Sequence, residues 1–245
     1  MTTIDNQGGP VPFGRSRNCR DVGGHVTAEG LRVRRGLLYR SDLPVLDEED
    51  RAELDALALA TVIDLREAEE RDLRPSSAEG KVRRVMPIPL GLGPLVAADP
   101  AKAASLRELY RAMVLELGVP IAEVVSELCR PGALPALVHC AAGKDRTGVV
   151  IGLVLSALGV ADSDVAADYA ATADNLTPAF FAYLNADGHN ARVDLTSLTG
   201  SDVGEMLRVL ALVREVAGDA CSYLTDHGVA PEDLDRLRAL LLGSD

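Results

Sequence analysis

A histidine, a cysteine, an aspartate and an arginine lie within eight residues in the stretch VHCAAGKDRTG, residues 138–148. The stretch starts at the end of the apolar run ALPALV and leads into another, VVIGLVLSAL. A loop that enters a helix can turn its backbone N–H groups towards one point, and together with the helix dipole these groups bind anions such as phosphate. Arg146 adds a planar fork for two phosphate oxygens. The predicted phosphate-binding residues are Ala141, Ala142, Gly143, Lys144, Asp145 and Arg146.

Cys140 begins this loop, and its position predicts a nucleophile. Helix N-termini and nearby cations favour the ionised thiolate form of cysteine at neutral pH. A thiolate at the bottom of a phosphate cradle predicts phosphoryl transfer through a cysteinyl-phosphate intermediate. Gly143 permits a backbone turn that a side chain would obstruct, and Thr147 can hydrogen-bond the sulfur and ease its departure in the hydrolytic step. Because such a cysteine needs no base, we expect His139 to hydrogen-bond the backbone and to tune the thiolate.

Strands and helices alternate around this loop. Short apolar runs predict strands at ATVIDL, VRRVMPIPL and ALPALVHC, and HVTAEGLRVRRGLLYRS predicts a β-hairpin or two short strands. Helical spacing, with Asp47 as the first N-cap, predicts helices over EEDRAELDALAL, AKAASLRELYRAMVLEL, IAEVVSELC and RTGVVIGLVLSAL. We predict an α/β fold with a mainly parallel central sheet flanked by helices. The helical part after residue 160 either packs on the sheet or acts as a lid.

Length and composition predict one domain. We expect residues 1–12 to be a flexible N-terminus and residues 13–245 to form a single domain, since 47% of the 245 residues are hydrophobic. The net charge of −12 speaks against nucleic acid as a partner. VVIGLVLSALGVA is too short to span a bilayer, so we expect no transmembrane segment.

The spacing of the cysteines and histidines indicates the redox compartment and whether a metal site is expected. The four cysteines lie far apart without CxxC spacing, which favours free thiols in a reducing compartment. No signal peptide is visible, so we expect a cytoplasmic location, with leaderless secretion left open. We expect no metal or cofactor, because the histidines are scattered: His25, His139, His189 and His227.

HCAAGKDRTG resembles the HC-x-x-G-x-x-R-T signature of the cysteine-dependent protein tyrosine phosphatases. With Lys144 and Asp145 it is similar to a bacterial group of tyrosine and lipid phosphatases. NCRDVGG, LLYRSDLPVLDEED, VIDLREAEER and YLTDHGVAPEDLDRLRALLLG also resemble blocks of that group, so the resemblance covers nearly the whole chain after residue 12. It implies a single phosphatase domain with a tyrosine-phosphatase-like fold.

The resemblance implies a phosphorylated substrate and inorganic phosphate as the product held in the loop. Members of the group act on phosphotyrosine, sometimes on phosphoserine or phosphothreonine, and often on phosphoinositides. We favour a phosphorylated protein. A phosphoinositide substrate, and a module that binds phosphorylated ligands without turnover, stay open as alternatives.

The chain has no Trp and therefore lacks the Trp-Pro-Asp loop of eukaryotic tyrosine phosphatases, so the general acid must come from another segment. The resemblance points to Asp145 and to Asp64 of IDLRE. We favour Asp145 as the acid and Asp64 as the residue that orients Arg146. The reverse assignment stays open, as does a simple pair between Asp64 and Arg66. Lys144 either lies solvated on the loop or contacts an extra phosphate of an inositol ring.

Cys19 stands where the related family usually has Phe. This departure predicts a cavity or a second thiol near the loop. A redox partnership of Cys19 with Cys140 is one reading, and an ordinary core thiol is the other.

Overall fold

A computed structural model of the chain describes residues 11, 13–91, 105–177, 180 and 202–244. The strands of this part are β1 (Arg20–Asp21), β2 (Arg32–Val33), β3 (Leu38–Ser41), β4 (Thr61–Asp64), β5 (Arg84–Pro87), β6 (Ala136–His139) and β7 (Leu242–Gly243). Its helices are α1 (Arg51–Leu57), α2 (Ala68–Leu73), α3 (Leu106–Glu116), α4 (Gly118–Leu128), α5 (Asp145–Ala157), α6 (Asp162–Ala170), α7 (Thr172–Asn175), α8 (Val203–Ala217), α9 (Ala220–Asp226) and α10 (Pro231–Leu241).

Five strands form one sheet in the order β1-β3-β6-β4-β5. The pairs β3–β6, β6–β4 and β4–β5 are parallel, and β1 is antiparallel to β3. The predicted α/β fold with a mainly parallel sheet is therefore confirmed. In the register of this sheet His139 lies between Ser41 and Asp64, so the loops that follow β3, β6 and β4 leave the sheet at the same edge.

The stretch HVTAEGLRVRRGLLYRS forms two short strands in different sheets. β3 joins the central sheet, whereas β2 pairs with β7 near the C-terminal end of the chain. A single antiparallel bridge between Val26 and Arg32 is the part of this stretch that resembles a hairpin. Asp47 caps a 3-10 turn over Glu48–Asp50 that leads into α1.

Both faces of the sheet are covered, because neighbouring strand residues pack into different apolar clusters. Ile63 and Val138 belong to the larger cluster, which contains residues of α3, α4, α5, α6 and α8. Val62 and Leu137 belong to a smaller cluster, to which α1 contributes. Helix α5 is apolar on nearly all sides and is buried over most of its length, as predicted.

The helices after residue 160 pack largely against this core. Helix α8 contacts α6, α3, α5 and α9, so this portion of the C-terminal part lies in the helical layer. The alternative, a lid formed by the helical part after residue 160, also concerns residues 178–179 and 181–201, which lie outside the described residues. Of the predicted flexible terminus, residues 1–10 and 12 are outside the description, while Val11 is buried and donates from its N–H to the Cys19 carbonyl.

Candidate active site

The loop of residues 140–144 connects β6 to α5, and its carbonyl groups point away from its interior. Three successive carbonyls accept hydrogen bonds from other segments of the chain. The pairs are Leu43 N with Ala141 O at 3.1 Å, Asn18 Nδ2 with Ala142 O at 3.0 Å and Arg40 Nη2 with Gly143 O at 3.0 Å.

The loop amides face the opposite side, because the C=O and N–H of a trans peptide point in opposite directions. The N–H groups of residues 142–144 are therefore turned inwards. One of them, Gly143 N, donates to Cys140 Sγ at 3.2 Å. The sulfur thus lies where the inward amides converge, at the start of α5.

Gly143 is required by this path of the backbone. Its φ is +66°, in the left-handed region that favours glycine. A Cβ at this position would lie 2.3 Å from Ser41 O. The loop packs against the end of β3 so closely that a side chain has no room.

A buried charge cluster holds the residues that bind the loop carbonyls. The Oδ1 atom of Asn18 accepts from Arg20 Nη1 at 2.5 Å and from Asn175 Nδ2 at 3.2 Å, so its Nδ2 is the atom that faces the loop. Arg20 and Arg40 both pair with the carboxylate of Asp168. Burial acts to raise the pKa of Asp168, but the two guanidinium groups outweigh it and the pKa lies below its ordinary value.

Arg146 is held by Glu70 of α2. Its Nη1 and Nη2 donate to the two carboxylate oxygens of Glu70 at 2.5 and 2.7 Å. Burial acts to raise the pKa of Glu70, but hydrogen bonds from Arg146 and its charge lower it overall. The carboxylate in turn raises the pKa of Arg146 despite its burial, so the guanidinium is permanently charged.

The expectation that Asp64 orients Arg146 is wrong. The Asp64 carboxylate binds Arg66, whose Nε and Nη2 donate at 2.9 and 2.7 Å. Both residues lie at the end of β4, and the Arg66 backbone N–H also donates to Asp64, which closes a local turn. Glu70, one helical turn further along VIDLREAEER, reaches Arg146 instead.

His139 is fully buried behind the loop. Its Nδ1 lies 3.1 Å from the Cys140 carbonyl, and its Nε2 lies 3.7 Å from Asp64 Oδ2. Burial lowers the pKa of His139 more than the Asp64 charge raises it. The imidazole is therefore neutral and packs against the backbone, and among the described residues it forms no hydrogen bond to Cys140 Sγ.

Asp145 and Lys144 lie at the junction of the loop with α5. The hydroxyl of Tyr110 donates to Asp145 Oδ1 at 2.6 Å, and Lys144 Nζ lies 3.5 Å from the same oxygen. Lys144 is 2% exposed, which excludes the solvated-lysine alternative. Thr147 is buried, and its Oγ1 has no hydrogen-bond partner among the described residues. The predicted bond from Thr147 to the sulfur is thus not formed, and Gly143 N takes that role.

Cys19 and Cys140 lie in different surroundings. Cys19 is buried in the smaller apolar cluster with Phe13 and Tyr39, whereas Cys140 belongs to the larger one. Burial, and after it the charge of Asp42, raises the pKa of Cys19 to about 12. Such a thiol is chemically inert, which favours the core-thiol reading over the redox one.

The sequence did not single out several residues that build this site. Asn18 and Arg40 lie within the blocks NCRDVGG and LLYRSD, whose resemblance to the family does not show which loop carbonyls they bind. Glu70 lies in VIDLREAEER, where the sequence favours Asp64. Asp168 and Tyr110 carried no sequence signal.

Within the described ranges, no cluster of three or more His, Cys, Asp or Glu side chains is arranged to hold a metal ion. No helix in the same ranges has the length and apolar character needed to span a bilayer.

A family model described as the tyrosine phosphatase family matches residues 11–243. The chain belongs to that family. A putative tyrosine-protein phosphatase of Cupriavidus necator is 36% identical over 167 residues, which cover 65% of this chain and 61% of that protein. The triple specificity protein phosphatase PtpB of Mycobacterium tuberculosis is 30% identical over 273 residues, covering 92% of this chain and 96% of that protein. These matches confirm the predicted family and its enzyme class, a phosphatase.

Solved structures are more distant. The core catalytic domain of the PP-IP phosphatase SIW14 from S. cerevisiae aligns with a TM-score of 0.40 at 17% identity, over 70% of this chain and 87% of that chain. P. aeruginosa TpbA in complex with pTyr aligns with a TM-score of 0.35 at 20% identity, over 74% and 90%. The family assignment therefore rests on the sequence matches.

Replacement of Gly143 by alanine should abolish the loop geometry. A Cβ 2.3 Å from Ser41 O forces the loop to move, and we expect phosphatase activity to fall by about 10²-fold or more. Gly80→Ala is the matched control, because Gly80 also has a positive φ, +72°, but no atom within 4 Å of the added Cβ. Both variants should lose roughly 1–2 kcal/mol of stability to left-handed strain. Normal activity of Gly143→Ala would contradict the assigned geometry.

Glu70→Gln should weaken the hold on Arg146, with a fall in activity of roughly 10–100-fold. Because the pKa of Glu70 is lowered on folding, its carboxylate stabilises the fold fully above the ordinary glutamate pKa, about 4.3, and this stabilisation is lost as the pH falls through the lowered value. Urea unfolding should therefore show a difference between wild type and variant at pH 7 that shrinks below about pH 4. Exposed Glu69→Gln is the control. A pH-independent difference would count against the ion pair.

Proposed function

We propose that the protein hydrolyses phosphotyrosine in proteins through a cysteinyl-phosphate intermediate on Cys140. One observation carries the proposal. The Cys140 sulfur accepts a hydrogen bond from Gly143 N within a loop in which the carbonyls of residues 141–143 accept hydrogen bonds from other segments of the chain. A nucleophile surrounded by inward N–H groups at a helix N-terminus is suited to attack a bound phosphate.

In the first step, Cys140 Sγ attacks phosphorus in line with the ester oxygen. The S–P bond forms as the P–O bond to the leaving group breaks, and the leaving oxygen takes a proton from Asp145. The inward amides of residues 142–144 bind the equatorial oxygens, where negative charge must be stabilised. In the second step, water attacks phosphorus, the S–P bond breaks, and Asp145 accepts a proton from the water. Inorganic phosphate is the product.

Arg146 supplies the remaining phosphate contacts. Nη1 donates hydrogen bonds to Glu70 and to the Leu65 carbonyl, and Nη2 donates one to Glu70. Among the described residues no acceptor binds the Nε–H. The side of the fork formed by Nε and Nη2 therefore suits two phosphate oxygens, while Glu70 fixes the plane of the guanidinium.

The substrate class is supported by the family and by the names of its members, tyrosine-protein phosphatases. PtpB is named a triple specificity protein phosphatase, so we extend the proposal to phosphoserine and phosphothreonine as secondary substrates. A phosphoinositide is the second candidate. In this alternative Lys144, whose Nζ lies 3.5 Å from Asp145 Oδ1, is the loop cation that would meet an additional phosphate of the ligand.

The proposal includes a cytoplasmic location. Its support is the set of four free cysteines, three of them buried, in a chain without CxxC spacing.

Phosphate release should be measured side by side from a phosphotyrosine peptide, a phosphoserine peptide and a short-chain phosphatidylinositol phosphate. Cys140→Ser protein serves as the blank, and it should retain phosphate binding because the loop amides and Arg146 are unchanged. We expect the phosphotyrosine peptide to be hydrolysed fastest. Preference for the lipid would select the second candidate. Turnover by Cys140→Ser at the wild-type rate would contradict the cysteinyl-phosphate mechanism. If the wild-type protein released phosphate from none of the substrates, a binding module would be favoured.

Asp145→Asn should reduce the hydrolysis of alkyl phosphates far more than that of p-nitrophenyl phosphate. A good leaving group departs without a proton, whereas an alkoxide needs one, and general acids contribute about 10²–10⁴-fold. Steady-state kcat/KM on both substrates measures the difference. The exposed Asp226, at the end of α9, gives the matched control Asp226→Asn. An equal loss of kcat/KM on both substrates would show that Asp145 is not the general acid.

A further inference from the structure

Two tyrosine hydroxyls form a hydrogen-bonded chain that ends on Asp145. Tyr110 of α3 donates to Asp145 Oδ1 at 2.6 Å, and Tyr169 of α6 lies with its hydroxyl 2.6 Å from that of Tyr110. A phenol has one hydrogen, and that of Tyr110 is directed to Asp145. Tyr169 must therefore donate to Tyr110, which gives a chain with a fixed direction, and successive hydrogen bonds of this kind strengthen one another.

The packing of the two rings fixes this chain. Tyr110 and Tyr169 are 2% and 1% exposed, and their rings meet edge to face with centroids 6.1 Å apart. Burial, followed by the charge of Asp145, raises the pKa of both phenols above the ordinary value, so both remain neutral donors. A Cβ on Gly148, in the first turn of α5, would lie 2.9 Å from Tyr169 Cδ2, so the glycine lets the ring lie against the helix that carries Asp145.

Both side-chain contacts of Asp145 in the described residues fall on the same oxygen. Tyr110 binds Oδ1, and Lys144 Nζ lies 3.5 Å from Oδ1. The Asp145 side chain is 25% exposed, so without these contacts its carboxyl group would rotate freely. A general acid must hold its protonated oxygen within about 2.6–3.2 Å of the leaving oxygen, which requires a defined orientation.

We propose that Tyr110, supported by Tyr169, is a positioning residue that binds Oδ1 of Asp145 and directs Oδ2 with its proton to the leaving oxygen. This inference rests on the proposed function, in which Asp145 is the acid. The proton transferred is the one on Oδ2, and each tyrosine keeps its own hydrogen. Replacement of the Tyr110 hydroxyl therefore affects the step that needs the acid and leaves the phosphate cradle unchanged.

The test is the ratio of kcat/KM for p-nitrophenyl phosphate to that for an alkyl phosphate. Tyr110→Phe keeps the ring and removes the donor. We expect it to lower kcat/KM for the alkyl substrate about tenfold, a part of the roughly 10²–10⁴-fold that a general acid contributes, and for the aryl substrate less than about twofold. Tyr169→Phe should change the ratio in the same direction by a smaller factor. In an Asp145→Asn background, Tyr110→Phe should leave the ratio unchanged, because residues that act through one group are not additive.

Tyr223→Phe is the matched control. Its buried hydroxyl donates to Val114 O of α3, the same helix that carries Tyr110, at 2.7 Å. The control should leave the ratio at the wild-type value, and phosphate binding by each variant reports an intact loop. Equal loss on both substrates, or a further change of the ratio in the Asp145→Asn background, would overturn the inference.

The outcomes also separate this inference from the function on which it rests. If Asp145→Asn changes the ratio and Tyr110→Phe does not, the positioning role fails alone. If Asp145→Asn leaves the ratio unchanged while Cys140→Ser is inactive, the acid assignment fails together with the positioning role, and the cysteine mechanism stands. If Cys140→Ser is as active as the wild type, the proposed function itself is wrong.

Discussion

The outward hydrogen bonds of the loop carbonyls are the constraint on which the site depends. A buried carbonyl left without a donor costs about 1–3 kcal/mol, so the loop takes the path on which each carbonyl finds one. Asn18 and Arg40 supply two of these donors from distant segments. Because each peptide is planar, the same bonds turn the amides of residues 142–144 towards the Cys140 sulfur. In the proposed function, the inner side of the loop binds phosphate because its outer side is satisfied in this way.

Two carboxylates make this arrangement possible in an acidic chain. The net charge is −12, yet three arginines are gathered around the loop. Asp168 balances Arg20 and Arg40, and Glu70 balances Arg146. Each guanidinium is thus fixed in one orientation, and a buried ion pair that lacked either partner would be strongly destabilising. Two carboxylates thus face three guanidinium groups. In the proposed function the inward amides and the dipole of α5 add to the attraction for phosphate.

Local features of this site could be predicted from the sequence, whereas its long-range partners could not. The strand, loop and helix around Cys140 and the need for Gly143 follow from neighbouring residues. The partner of Ala142 lies 124 residues away, and that of Arg146 lies 76 residues away. Asp64 and Glu70 occupy one block, and only the end of β4 and the position of α2 decide which of them reaches Arg146. The pairing of β2 could not be predicted for the same reason, because its partner β7 lies at the other end of the chain.

Trapping the intermediate is the sharpest test of whether the phosphoryl group passes through Cys140. Enzyme turning over p-nitrophenyl phosphate would be denatured rapidly, digested, and mapped by mass spectrometry. We expect one phosphoryl group on the peptide that contains Cys140, and none on that peptide from the Cys140→Ser protein. A phosphoryl group on another residue, or steady turnover in which the peptide never carries one, would contradict it.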